Sequence, residues 1–323
     1  MGFQKKSLEV LLPPTEMKAV PQQKNKNGLY LTAGLLVLGF IILVALVFIF
    51  AGFYPRLFGK CVAVVKIDQE LTTEGIPSSL FSSGSPSSMD IANAIEKLDE
   101  RPDVSAVVLV MNSPGGSVVA THDIYDAVKN LSKPKVAYFK EVAASGAYYI
   151  STPSDYIISD PDAITGSIGV IATFADMSGL FDKIGLNVTA VKSGAHKDIG
   201  SSSRPLTGEE KKILHDMISE IFTEFKAVVL ENRGDKLNKQ KFEEILDGRI
   251  VTGRQAKVIG LVDALGKERD AIKKASELAG MDTAEEPRIC EVSTMSEGNQ
   301  LFNLEGFVHS FLMENSQMKI SYK

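Results

Sequence analysis

At 323 residues the chain exceeds one typical domain of ~100 to 200. Once an uncharged stretch of 29 residues, Asn27 to Pro55, is set aside, the 268 residues from Arg56 to Lys323 suffice for one large folded domain, so bulk disorder is excluded. Residues 1–26 hold five lysines against two glutamates, a local +3 that leaves −8 for the remainder of a chain whose total is −5, and so acidic a body argues against nucleic-acid binding. Two cysteines, Cys61 and Cys290, make neither a disulfide framework nor a zinc site, so no metal, cofactor or redox chemistry is expected.

In chain order, residues 1–26 read as a polar N-terminal segment and residues 27–55 as a transmembrane anchor, because a helix needs only ~20 apolar residues to cross a bilayer. The stretch is too long and starts too late for a cleaved signal peptide. Lys18, Lys24 and Lys26 on one side balance Arg56, Lys60 and Lys66 on the other, and Lys5 and Lys6 tip the count toward a cytoplasmic N-terminus and an extracytoplasmic body. Residues 56–282 then read as an α/β domain of repeated βαβ units. Strands are predicted at Cys61–Ile67, Val104–Met111, Lys135–Phe139, Tyr156–Ser159, Ile168–Thr173 and Asn187–Lys192, most of them apolar enough for burial on both faces. Between the first strand and first helix, the serine-rich stretch Ser78–Ser88 reads as a mobile flap. Helices are predicted from a Ser88 cap through Ile91, Ile95 and Leu98, over Val118–Leu131, and from a Thr207/Glu210 capping box down to Arg233, with Ile213, Met217, Ile221, Phe225 and Val228 on its apolar face. Arg233–Asp235 spells R-G-D at the end of that helix, a chance triplet. Residues 283–323 lose clear periodicity except for Leu301–Met313 and read as a tail.

Four segments carry chemistry. After the second strand, Asn112-Ser113-Pro114-Gly115-Gly116 forms a turn whose backbone N–H groups can hold an anion or an oxyanion, although Pro-Gly-Gly also occurs at turns for its backbone freedom alone. Glu141–Ile150 places Ser145 among small residues just after a strand, as a nucleophile or simply as a helix cap; a G-x-S-x-G elbow is absent. Ile164–Val170 puts Ser167 on a tight turn, and Ser193–Ile199 carries His196 and Lys197 on a loop.

In this order and spacing the segments resemble the signal peptide peptidases of the SppA type, within the Clp and crotonase fold group. The resemblance spans about Cys61 to Leu278, and includes D-G-R-I-V-T-G-R-Q-A-K-V-I-G-L-V-D at Asp247–Asp263. It implies a serine peptidase with a Ser-Lys dyad: Ser145 as nucleophile, Lys197 as general base, Ser167 orienting the lysine, and the backbone N–H groups of Gly115 and Gly146 as the oxyanion hole. It further implies a Clp/crotonase-like fold, leftover signal peptides and other extended apolar peptides as substrates, and a ring-like homo-oligomer. The serine-rich loop and the tail lie outside the match.

The residues support a lysine base on their own terms. A serine hydroxyl needs a base, and of the four histidines His122 and His215 fall on helices and His309 in the tail, leaving His196 as the rival for a Clp-type Ser-His site. A lysine serves only when neutral, against an unperturbed value of ~10.4, so desolvation around Lys197 and an Asp198 turned away from it are expected. Two further readings of the scaffold stay open: a crotonase-type acyl-thioester enzyme and a scaffold that has lost catalysis. The tail stripe Leu301, Phe302, Leu304, Phe307, Val308, Phe311 and Leu312 reads either as packing on the parent domain or a neighbour, or as a peptide that occupies the groove.

Overall fold

The computed structural model describes residues 35–47, 60–76, 84–282, 286–294 and 320–322 and falls into two units, Met1–Leu57 and Phe58–Lys323. In the first unit residues 35–47 form a helix, α1, with exposed side chains. Among the described residues no helix is long and apolar enough to cross a membrane; the remainder of the predicted anchor lies outside them.

The second unit is built on strands whose alternate side chains enter different apolar layers. In β1 (Cys61–Ile67) residues Cys61, Ala63, Val65 and Ile67 face one cluster while Val62 and Val64 face the other, the double burial typical of parallel sheets covered on both sides. Following in chain order are α2 (Ser88–Glu100), β2 (Val104–Ser113), β3 (Gly116–Ser117), α3 (Val118–Asn130), β4 (Lys135–Ala144), α4 (Gly146–Ser151), β5 (Tyr156–Ser159), β6 (Ile164–Gly166), β7 (Ile171–Ala172) and α5 (Ser178–Ile184). The chain continues through α6 (Gly208–Arg233), α7 (Lys239–Glu244), β8 (Ile250–Thr252), α8 (Gly253–Ile259), β9 (Ala264–Leu265), α9 (Glu268–Leu278), β10 (Ile289–Val292) and β11 (Ile320–Tyr322). The main sheet runs β10-β1-β2-β4-β5-β9 with every neighbour parallel, and β6 splits from the end of β4 to pair with β8. Ala271, Ile272 and Ala275 of α9 cover one face; α2, α3, α4 and α6 contribute to the other. This is the mixed α/β architecture expected from the βαβ pattern.

Several local expectations are corrected. Ser87, not Ser88, caps α2: its hydroxyl accepts from Asp90 N while the Asp90 carboxylate accepts from Ser87 N at 3.0 Å. The buried face of α6 carries Leu214, Phe225 and Val229, with Ile221 and Val228 packed against the core as predicted, while Ile213 at the start of the stripe is exposed and Leu214 takes its place. Residues 187–192 form no strand, and Ile168–Thr173 yields only the two-residue β7, which lies outside the main sheet and pairs with β11. Of the serine-rich loop, residues 77–83 lie outside the described residues; its ends are drawn together by reciprocal backbone bonds of 2.8 and 2.9 Å between Ile76 and Ser85.

The tail and the cysteines bring the largest correction. Ile289–Val292, expected to be without regular structure, adds an edge strand beside β1, and Cys61 is disulfide-bonded to Cys290 across that pair. A link spanning 229 residues of sequence stabilises chiefly by restricting the unfolded chain, typically by ~2 to 4 kcal/mol. The periodic stretch Leu301–Met313, read in the sequence as one weak helix, lies outside the described residues. The R-G-D arginine is structural: Arg233, 1% exposed, grips the Asp263 carboxylate through Nη1 at 2.8 Å and Nη2 at 3.1 Å. Burial works to raise the Asp263 carboxyl, but these bonds outweigh it and hold the group below its ordinary range.

Candidate active site

Ser145 lies where β4 becomes α4. The strand reaches one residue short of it, and Gly146 opens the helix. Its backbone takes φ 55° and ψ −122°, outside the regions open to most L-residues, a conformation that costs about 1 to 3 kcal/mol and is concentrated at functional sites. The surroundings impose it: Ser145 N donates to Gly166 O at 2.9 Å, Tyr149 N donates to Ser145 O at 3.0 Å, and the next turn is wedged into the core by Tyr148 and Tyr149. Tyr148 donates its hydroxyl to Leu261 O at 3.2 Å, and Tyr149 packs edge-on against Tyr125 at 4.9 Å. Ser145 makes no side-chain capping bond, which removes the simple cap reading. Its Oγ is buried without a hydrogen-bond partner among the described residues, a state that favours a reacting substrate atom as partner.

Ser167 stands beside it by strand pairing. Ala144 of β4 is opposite Gly166 of β6, so the residues just past both strands are Ser145 and Ser167. Ser167 also takes a positive φ, 50°, and its N–H donates to Arg249 O at 3.0 Å. These two serines are the positive-φ non-glycine residues among those described.

The glycine turn approaches from the next strand over. Leu71 N donates to Gly115 O and Ser117 N to Leu71 O, both at 2.8 Å. A Cβ on Gly116 would lie 2.1 Å from Leu71 O, so this crossing requires glycine there. The Gly115 N–H, one expected oxyanion donor, is directed to Ser113 Oγ at 3.2 Å. The Gly146 N–H is the first of a helix and has no acceptor among the described residues. A Cβ on Gly146 would come within 2.4 Å of Thr121 Oγ1, so a larger residue would displace the nucleophile turn. Neither Ser113 nor Thr121 was legible as a site residue: Ser113 lies within N-S-P-G-G without a distinguishing pattern, and Thr121 reads as an ordinary helix position.

A strand from the chain's own C-terminus lies along this turn. β11 pairs antiparallel with β3, Ser321 opposite Ser117 and Tyr322 opposite Gly116, and on its other side with β7, Ile320 opposite Ala172. An extended segment therefore fits between the glycine turn and the chain that follows Ser167.

Lys197 makes no hydrogen bond to these groups. It sits on a surface turn with its N–H bonded to Gly194 O at 3.2 Å, and its side chain is exposed with no hydrogen bond or ion pair to another described residue. The preceding excursion is open as well: α5 has no buried residue, and Leu180, Ile184 and Val191 are 55%, 65% and 98% exposed. His196 faces the start of α6, with Nε2 3.6 Å from Glu209 and Nδ1 4.0 Å from Glu210. Asp198 turns to Arg204 and Lys192, whose hydrogen bonds hold its carboxyl well below the usual carboxylate range. Arg204 in turn binds Glu210, which it and the Thr207 N–H hold down at about 2. Arg204 escaped sequence reading because nothing in its neighbourhood marks two carboxylates six residues away on either side.

The model of Peptidase family S49 matches residues 127–282 and that of the Clp protease family residues 77–156. A putative protease of Methanocaldococcus jannaschii is 42% identical over 66% of this chain and 67% of its own length. A putative protease of a Synechocystis species is 39% identical over 59% and 69%, and a putative signal peptide peptidase SppA of Enterococcus faecium 37% identical over 60% and 57%. The chain belongs to Peptidase family S49, in the group of the SppA-type signal peptide peptidases that its motifs resemble, and is a serine peptidase.

Proposed function

We propose that the protein is a membrane-anchored serine endopeptidase that uses Ser145 and Lys197 as a dyad to degrade cleaved signal peptides and other extended apolar segments at the outer face of the membrane. The carrying observation is the buried, strained and partnerless Ser145 hydroxyl beside the Gly146 N–H. Substrate lies as an extended strand where β11 lies now, bonded to β3 and β7. Ser145 Oγ attacks the scissile carbonyl as Lys197 Nζ takes its proton; the developing oxyanion is held by the N–H groups of Gly146 and, once released from Ser113, Gly115. The protonated lysine gives its proton to the leaving amine, and water, activated by the same base, hydrolyses the acyl-enzyme. Ser167 holds the neutral amine in line.

The exposure of Lys197 favours a homo-oligomer. An amine in water stays charged near neutral pH, and association of copies through the apolar arm of residues 173–195 would both cover that arm and desolvate the lysine against the serine of a neighbour. Residues 27–55 serve as the anchor, 1–26 as the cytoplasmic segment, 56–282 as the peptidase domain and 283–323 as the tail, and the domain lies outside. The name of the Enterococcus relative supports the substrate class. The test is labelling with a serine-directed fluorophosphonate: the native protein should be labelled and hydrolyse apolar peptides, and Ser145→Ala, folded to the same Tm, should do neither. Full turnover by folded Ser145→Ala would end this reading.

A further inference from the structure

We propose that Arg204 is a positioning residue for the reaction: it grips Asp198 and is gripped by Glu210, and so fixes the loop that carries Lys197 and keeps the neighbouring carboxylate from stabilising the lysine's ammonium form. The inference rests on Lys197 being the base.

The guanidinium spends both edges on carboxylates. Its Nε and Nη2 donate to Asp198 at 2.9 and 2.6 Å; its Nη1 and Nη2 donate to Glu210 at 2.8 and 2.6 Å. Paired forks of this kind restrict orientation as well as distance. Glu210 is an anchored end: it is 1% exposed and completes the capping box of α6 by accepting from Thr207 N at 2.9 Å. The other end is the residue after Lys197. The loop is thus pinned to the first turn of a 26-residue helix one residue from the proposed base, while Lys197 itself has no side-chain partner among the described residues.

Charge makes the role more than mechanical. The groups that face this loop are Lys192 and Asp198 on the loop, His196, Arg204, and Glu209 and Glu210 of α6. Lys192 Nζ also binds Asp198, at 2.6 Å. Two cations, Lys192 and Arg204, thereby cancel the two carboxylates they bind, Asp198 and Glu210, while Glu209 faces His196 instead. Removing Arg204 leaves two carboxylates against one ammonium. A freed carboxylate next to Lys197 would favour its protonated form, which cannot accept a proton.

The experiment is the pH dependence of kcat/KM for the full-length protein on a peptide substrate. Arg204→Gln should move the rising limb to higher pH by about one unit, a roughly tenfold loss at fixed pH on that limb. Arg204→Lys, which keeps the charge but not the fork, should leave the limb in place and lower kcat severalfold. Asp198→Asn combined with Arg204→Gln should return the limb to its native position. A folded Arg204→Gln protein with the limb unmoved overturns the proposal. Should Arg204→Gln fail to fold, Asp198→Asn carries the test: an unchanged kcat there overturns the proposal, and a severalfold lower kcat, measured well below that variant's own Tm, supports it. Lys197→Ala is measured in parallel. Retained turnover in that variant defeats the base assignment itself, whereas an inactive Lys197→Ala beside an unmoved Arg204→Gln limb defeats only the role of Arg204.

Discussion

Ser145 and Lys197 occupy opposite kinds of surroundings. The serine sits where a buried parallel strand meets a helix pinned by two buried tyrosines, and its backbone is held in a conformation the chain would not adopt alone. The lysine sits on an exposed turn after an excursion whose apolar side chains meet water, held in place by the Asp198–Arg204–Glu210 chain of ion pairs. The difference teaches that one half of the proposed dyad is preorganised by the core, while the other stands exposed on a turn, which on the proposed reading a neighbouring copy covers.

The sharpest way to break this comparison is to separate the two residues between copies. Lys197→Ala or Lys197→Arg should lower kcat by at least ~10³-fold with Tm unchanged, as expected for loss of a group that acts as a unit with its nucleophile, while His196→Ala retains most activity. Mixed assemblies of Ser145→Ala and Lys197→Ala chains should regain turnover that neither has alone. Absence of recovery in confirmed mixed oligomers would place base and nucleophile on one copy.

Gly146→Ala probes the rigid side. The added Cβ would meet Thr121 Oγ1 at 2.4 Å, so kcat should fall about 10- to 100-fold and stability by about 1 to 3 kcal/mol. Thr121→Ser, which keeps the hydroxyl, should not relieve the clash, whereas Thr121→Ala in the Gly146→Ala background should restore part of the rate. If Gly146→Ala matches the native rate, the turn is less constrained than its packing indicates.

Truncation after Thr294 removes β11 but keeps β10 and the Cys61–Cys290 bond. If the C-terminal strand competes with substrate for β3 and β7, turnover at subsaturating peptide should rise severalfold through a lower KM, read from initial rates. An unchanged rate with the oligomer preserved would remove the competition.

The smallest effect concerns acid stability of the lysine loop. Glu210 is held at about 2 in the folded chain against ~4.3 when unfolded. A depressed carboxyl of this kind contributes its stability fully above ~4.3, and that contribution fades as pH falls through about 2. Asp198 is displaced in the same direction by Arg204 and Lys192. Tm should therefore decline between pH ~4 and ~2, and Arg204→Gln should flatten that decline. An identical acid profile in the variant would show that these carboxylates are not coupled to folding through Arg204.

Much of the scaffold was legible because it depends on local pattern. Runs such as Cys61–Ile67 and Tyr156–Ser159 mark strands buried on both faces, and Thr207 with Glu210 marks the start of α6 to the residue. The four chemical segments were visible because glycine and small residues betray tight turns. The weaker readings failed where a segment's structure depends on distant partners. Ile289–Val292 has no periodic signature and becomes a strand only because the edge of β1 is free to receive it. Residues 187–192 have the β-branched composition of a strand, yet they stay exposed and join no sheet among the described residues.

By sequence alone, then, the chain specifies its α/β class and the positions of its main core strands, because propensity, alternation and capping act over a few residues, while the candidates Ser145, Ser167, Lys197, Gly115 and Gly146 follow from the family its motifs resemble. Tertiary structure alone decided the Cys61–Cys290 pairing, the partnerless burial of the Ser145 hydroxyl, the diversion of the Gly115 N–H to Ser113, the entry of residues 320–322 between β3 and β7, and the clamp of Arg204 on two carboxylates. Each of these joins groups whose proximity follows from how strands are ordered in the sheet and how loops return across it, a long-range outcome that no local pattern encodes.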